Sequence, residues 1–258
     1  MMSMRGTGWL AVGGVLAVGS VGWAGFNIVT VLAHEERTEV KQYDVADVMV
    51  IDVENSSGPV TIEGSAGLDE ITVTAHISDG LRETGESQQL VDGRLELRGS
   101  CPNIGSDWCE VEYTIQVPRD IEVVAATDNG KLEVRGVDGT VDLSADNGGV
   151  EVDDVTGDMT VGSDNGSINA SGLTSDSVTA ETDNGSLTIE LLEPPTVVDA
   201  RSDNGSVEVI LPDTEDLYAL DISTDNGEVS RNIRTDPESS RRITIETDNG
   251  DATVRYAP

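Results

Sequence analysis

Lysine is nearly absent from this chain: Lys41 and Lys131 are the only two, and Lys plus Arg total 15 against 49 Asp plus Glu. The formal charge is −34, and all 49 acidic residues lie beyond residue 33. Nucleic acids and anionic lipid headgroups are recognised through basic contacts, so the balance excludes both as partners. Histidine is equally scarce. Of His34 and His76 only the latter lies well clear of the N-terminal apolar stretch, so no Ser-His-Asp set can be assembled. Aromatic residues make up 3 % of the chain, with a single Phe, which leaves little for stacking against sugar rings. No Gly-x-x-x-x-Gly-Lys or Gly-x-Gly-x-x-Gly stretch opens a helix, so nucleotide phosphates have no cradle.

Cysteine is limited to Cys101 and Cys109, in a Pro- and Gly-containing loop. A structural zinc site needs four ligands and the histidines are too few and too distant, so an exported disulfide is the better reading. Closing so short a loop contributes about 2–3 kcal/mol on the chain-entropy model.

One long hydrophobic run is present. Trp9 to Ala33 is uncharged and rich in Val, Leu, Ala and Gly. As a helix it would reach about 37 Å, enough to cross a hydrocarbon core of about 30 Å. Arg5 precedes it and Glu35 and Glu36 follow, which favours a cytoplasmic N-terminus, residues 1–8, and an extracytoplasmic remainder. A cleaved signal ending at Val31-Leu32-Ala33 is the alternative. Residues 34–46 read as a juxtamembrane connector.

What the chain has in abundance is Asp-Asn-Gly. The tripeptide starts at Asp128, Asp146, Asp164, Asp183, Asp203, Asp225 and Asp248, at intervals of 18, 18, 19, 20, 22 and 23 residues. A near-constant period marks one unit copied in tandem. Apolar residues alternate on both sides, as in Val141, Leu143 and Ala145 before one copy and Val150 and Val152 after it. Each copy is therefore strand, tight turn, strand. Two short strands cannot bury an apolar face alone, whereas stacked copies share a core. The expected fold is all-β: a parallel β-helix of about 18–23 residues per coil, preceded by one transmembrane helix. Residues 47–126 are read as irregular opening coils, with Asn55-Ser56-Ser57-Gly58 as a degenerate first corner and 79–92 as a polar excursion. Residues 127–258 form the regular coils.

The pairs Asn129-Gly130, Asn147-Gly148, Asn165-Gly166, Asn184-Gly185, Asn204-Gly205, Asn226-Gly227 and Asn249-Gly250 are assigned as structural turns. Both residue types tolerate positive φ, and stacked Asn amides can hydrogen-bond between rungs. The competing reading makes the seven Asp carboxylates a Ca²⁺ column, since oxygen-rich turns suit that ion. No other cofactor is expected. Outward positions two residues before each Asp do not repeat (Ala126, Ser144, Gly162, Glu181, Arg201, Ser223, Glu246), which speaks against a lattice-matching face. Arg231, Arg234, Arg241 and Arg242 form the one basic cluster, in the longest inter-turn interval, where Arg231 breaks the apolar column. They are the candidate contact patch, expected to protrude and to pair with neighbouring carboxylates.

The His34-Glu35-Glu36-Arg37-Thr38-Glu39 junction after the apolar run, the Cys101–Cys109 segment, Val111, Tyr113 and Val117-Pro118 complete a recognisable pattern with the Asp-Asn-Gly repeats. On these residues the chain resembles the bacterial, actinobacterial-type, membrane-anchored "putative adhesin" β-helix family over nearly its whole length. The resemblance implies a β-helix outside the membrane and brings no catalytic residues to transfer. The resulting expectation is a single-pass, non-catalytic surface scaffold or adhesin-like binding module with an envelope glycan or protein partner. A carbohydrate-active β-helix enzyme and an envelope-stress regulatory subunit are the alternatives.

Overall fold

The computed structural model describes residues 35–79, 84–101 and 109–258. The expected transmembrane helix at 9–33 lies outside them. Among the described residues no helix is long and apolar enough to cross a membrane.

The described chain is all-β. Its opening part contains β1 (Glu35–Asp44), β2 (Val50–Asn55), β3 (Val60–Ser65), β4 (Glu70–Asp79), β5 (Gly85–Val91), β6 (Arg94–Ser100) and β7 (Glu110–Pro118). The repeats supply strand pairs joined at Asp-Asn-Gly: β8 (Glu122–Asn129) with β9 (Leu132–Val137), β10 (Val141–Asn147) with β11 (Val150–Val155), and β12 (Met159–Ser163) with β13 (Ile168–Leu173). Then come β14 (Ser177–Asn184) with β15 (Leu187–Leu191), β16 (Val197–Asn204) with β17 (Val207–Leu211), β18 (Ala219–Asn226) with β19 (Val229–Asn232), and β20 (Arg242–Asn249) with β21 (Ala252–Tyr256). First strands of the pairs line up in one sheet and second strands in another. Residues with the same offset from Asp-Asn-Gly are register partners, as in Leu143 with Ala125 and Val161, or Val152 with Val134 and Ala170. The inward residues of both sheets merge into one buried cluster. Each fully buried Val, Leu or Ile in it contributes roughly 1.5–3 kcal/mol.

Two expectations are corrected. A uniformly parallel coil does not run from 47 to 258, because the sheets are mixed and neither closes on itself. β4 pairs antiparallel with both β7 and β1, and β5 with β6, so the expected connector and the polar excursion are partly edge strands. In β4, Thr72 and Thr74 alternate with buried Ile71, Val73 and Ala75, a pattern that suits an antiparallel neighbour as well as a parallel one. The second correction concerns order. The sheets read β8-β10-β12-β14-β16-β20-β18 and β9-β11-β13-β15-β17-β21-β19, so the seventh Asp-Asn-Gly pair sits between the fifth and the sixth. At the opposite end β2 and β3 likewise sit between β6/β7 and β8/β9. Gly58 of the degenerate corner contacts the regular stack directly, its N–H donating to the Asn129 carbonyl at 2.8 Å. The Cys101–Cys109 disulfide joins the residue after β6 to the residue before β7, at the position where regular pairs carry Asp-Asn-Gly.

The corners are built from three columns. The Asn amides form a ladder: Asn147 Nδ2 donates to Asn129 Oδ1, Asn165 to Asn147, Asn184 to Asn165, Asn204 to Asn184, Asn249 to Asn204 and Asn226 to Asn249, at 3.1–3.4 Å. Each Nδ2 also donates to the main-chain carbonyl of an Asp in the adjacent corner, for instance Asn165 to Asp146 at 3.2 Å. One residue before the Asp, buried hydroxyls donate to glycine carbonyls of the adjacent rung: Ser163 to Gly148, Thr182 to Gly166, Ser202 to Gly185 and Thr247 to Gly205, at 2.8–3.1 Å. The glycines themselves are not there for positive φ, which none of these seven adopts. A Cβ on Gly166 would lie 2.0 Å from the Gly148 carbonyl oxygen, and Gly148 and Gly185 meet their neighbours equally closely. Glycine is required by the approach of one rung to the next.

Gly166→Ala is therefore expected to cost about 1–3 kcal/mol or more through forced displacement of that backbone. Gly162→Ala, whose Cβ meets nothing within 4 Å, should change stability by less than about 0.5 kcal/mol. Denaturant unfolding of both variants checks the contrast, and equal effects would refute the close-approach account. Thr182→Val keeps the shape but strands the Gly166 carbonyl, with an expected loss of about 1–3 kcal/mol and a melting temperature lower by several degrees.

Candidate functional site

Stacking consumes the repeated Asn amides, the glycines and the inward hydroxyls, and a distinct surface is found where the pattern breaks. The segment from the end of β17 to the first residue of β20 bears all four candidate arginines, and β18 and β19 within it are the outermost strands of their sheets at this end. At this terminal rung the inward column is only half covered: Leu220 and Ile222 are partly exposed and Val229 is 45 % exposed. Arg231 occupies an inward register position opposite buried Val254. A charge is tolerable there because the rung has a neighbour on one side only. The break in the apolar column thus marks the spatial end of the stack, although the copy is sixth in sequence.

The four arginines divide into two pairs. Arg241 is structural: its Nε donates to Asp216 at 3.1 Å and its Nη1 to the carbonyls of Pro194 and Pro195 at 2.7 and 2.8 Å, clamping the preceding loop. Arg234 is also engaged, with its guanidinium donating to the Thr214 carbonyl, 3.4 Å from Asp213 and 5.5 Å above the Tyr256 ring. The expected pairing with neighbouring carboxylates holds for these two. Arg231 and Arg242 make neither an ion pair nor a side-chain hydrogen bond with any described residue. They line one cavity of about 390 Å³, together with Ala219, Leu220, Asp221, Thr235 and Pro237.

This distinguishes them from the other described cations. Arg37, Arg94, Arg98, Arg119, Arg135, Arg201, Arg255, Lys41 and Lys131 all lie within 4.0 Å of a carboxylate. At such an acidic surface an unpaired guanidinium is the exception. The lining residues Leu220, Thr235 and Pro237 carry no motif of their own. The signals that could have found Thr235 and Pro237 are the 23-residue interval and the interrupted column.

All seven Asp side chains of the repeats are exposed. Among the described residues no group of three or more His, Cys, Asp or Glu could hold a metal ion. His76 lies exposed on β4, with Nδ1 2.9 Å from the Thr38 hydroxyl.

No family model matches the chain, and no curated protein matches it. Solved structures do. A "putative cell adhesion protein" from Clostridium sporogenes is 15 % identical, with 86 % of this chain and all of the other covered at a TM-score of 0.41. A "putative adhesin" from Parabacteroides distasonis is 18 % identical over 86 % of this chain and 97 % of its own, with a TM-score of 0.43. Another, from Bacteroides fragilis, is 17 % identical over the same shares, with a TM-score of 0.36.

The base of the arginine end is held by Tyr218, fully buried, whose main chain exchanges hydrogen bonds with Arg234 and Asp236. Its phenol oxygen has no hydrogen-bond partner. Burial pushes this phenol up to about 12, and the Asp216 carboxylate adds to the effect. An unfolded tyrosine ionises near pH 10. Between about pH 10 and 12 the unfolded chain has therefore released a proton that the folded chain keeps, and stability falls by up to about 1.4 kcal/mol per pH unit from this group. Tyr218→Phe is expected to be neutral or stabilising at pH 7, since it removes an unpaired buried hydroxyl. It should also show a smaller loss of stability between pH 7 and 11 in denaturant titrations. An unchanged alkaline loss would contradict this assignment.

Proposed function

We propose that the chain is a membrane-anchored, extracytoplasmic, non-catalytic binding module of the adhesin-like kind, with its stacked strand pairs forming a two-sheeted β-helix held outside the membrane by residues 9–33. The observation that carries the reading is the division of labour along the stack. Asn, Gly and hydroxyl columns are spent on rung-to-rung contacts, while the unpaired cations and the uncovered apolar column coincide at one unrepeated end. A Cys101–Cys109 disulfide suits an oxidising compartment. The family resemblance at residues 34–39 and at the repeats points the same way. Ligand recognition on this reading belongs to the end of the stack and not to its sides.

Cells producing the full chain should keep it in the membrane fraction with the β domain open to external protease. Deletion of residues 9–33 should release it from that fraction. Such cells should adhere to members of a panel of polysaccharides and cell-envelope proteins without releasing reducing sugar ends. Internal protection from protease would overturn the location, and turnover of a polysaccharide would replace the binding module by the enzyme reading.

A further inference from the structure

The outer edge of β18 is an unfinished sheet. Toward β20 the strand is paired from Ala219 to Thr224 and again at Asn226. On the other side no described residue hydrogen-bonds to the main chain of Leu220, Ile222 or Thr224. The chain itself begins a further strand there. Thr235 bridges Tyr218 in the parallel sense, the Tyr218 N–H donates to the Arg234 carbonyl at 3.3 Å, and the Asp236 N–H donates to the Tyr218 carbonyl at 3.0 Å. Pro237, which has no N–H and a fixed φ, follows at once, and the extension stops after a single bridge. Long edge strands with free donors and acceptors are templates for pairing with another chain.

The same place carries the two unpaired guanidiniums. Arg231 and Arg242 line the cavity that also touches Leu220 and Pro237, so free main-chain groups, exposed apolar surface and unbalanced positive charge converge within one rung. We propose that this end receives an extended acidic segment of a partner protein, which adds as a strand to the outer edge of β18 and sets a carboxylate in the cavity lined by Arg231 and Arg242. Main-chain hydrogen bonds supply affinity in such strand addition, and pockets for alternate side chains supply specificity. Apolar residues on the inward face of the incoming strand cover Leu220 and Ile222, and an acidic residue on its outward face reaches Arg242, with Arg231 across the same cavity. The two-residue period of a strand makes the fitting segment alternate apolar and acidic residues, and Asp221, which lines the cavity too, limits how much negative charge it accepts. The proposal rests on the binding-module reading and names the chemistry of its partner.

The probe is a fluorescein-labelled peptide of alternating valine and glutamate, nine residues long, titrated against the full chain in mild-detergent micelles and followed by anisotropy. Saturable binding is expected that weakens with added salt. A peptide with lysine for glutamate, and one with proline at alternate positions, should not bind. The double variant Arg231→Gln, Arg242→Gln should weaken the acidic peptide about tenfold or more. Both side chains are exposed, so its melting temperature should stay that of the unaltered chain. Equal binding of the lysine peptide, retained binding of the proline peptide, or indifference to the double variant would overturn the proposal. So would self-association of the chain through this end that the acidic peptide does not compete away. The adhesion panel separates the two readings: adherence that the double variant leaves intact keeps the binding module and removes this partner. Loss of adherence by the unaltered chain removes both.

Discussion

The spacing between stacked strands, about 4.8 Å, governs what can stand at each corner of this molecule. At that distance a turn passes so close to the next that one carbonyl oxygen lies where a Cβ would be, and glycine becomes the sole residue that fits. The carbonyls thus brought inward need donors, which Ser163, Thr182, Ser202 and Thr247 provide. The asparagines beside them find, one strand spacing away, both an amide oxygen and an Asp carbonyl. Spacing, donor supply and amide reach are one constraint met three times. Because all three parts must change together, the tripeptide recurs while the residues two positions earlier drift freely.

Much of this is written in the residue pattern. Alternation around Val141 and Val150 gives the strands and their inward faces, and the Asn column gives the ladder. The reason for glycine is not legible there, since Asn-Gly suggests positive φ and the structure uses neither residue so. Hydroxyls at the inward position before the Asp look like weak members of an apolar column, and their function emerges only once the carbonyl of the neighbouring rung is in place. Rung order is also beyond a period, because repeats with identical faces stack equally well in exchanged order. Only the Arg231 side chain hints that its copy ends the stack.

The charge distribution follows a related economy. With so few cations, those that remain are placed against carboxylates: Arg98 and Arg94 converge on Asp52, and Arg119 joins Asp138 to Asp154 across rungs. In the first case burial opposes ionisation of the Asp52 carboxyl, yet the two guanidiniums hold it below its ordinary range. Exposed pairs of this kind contribute little individually. Their role is local relief of repulsion on a surface that is negative almost everywhere, which leaves the arginine end as the place where the sign of the potential is open to change.

The exchanged order of the last two copies has a consequence for how the molecule is assembled. A stack in chain order can be laid down rung by rung as the polypeptide emerges, each pair finding its template already formed. Here the pair at Asp225 emerges before the pair at Asp248, yet β18 and β19 rest on β20 and β21 and have no other template. The contacts of the earlier pair are complete only once the later one lies against β16 and β17. Closure at this end is therefore retroactive, a latch thrown by downstream residues, and a chain halted before Arg242 would leave one strand pair, β18 with β19, without the pair it rests on.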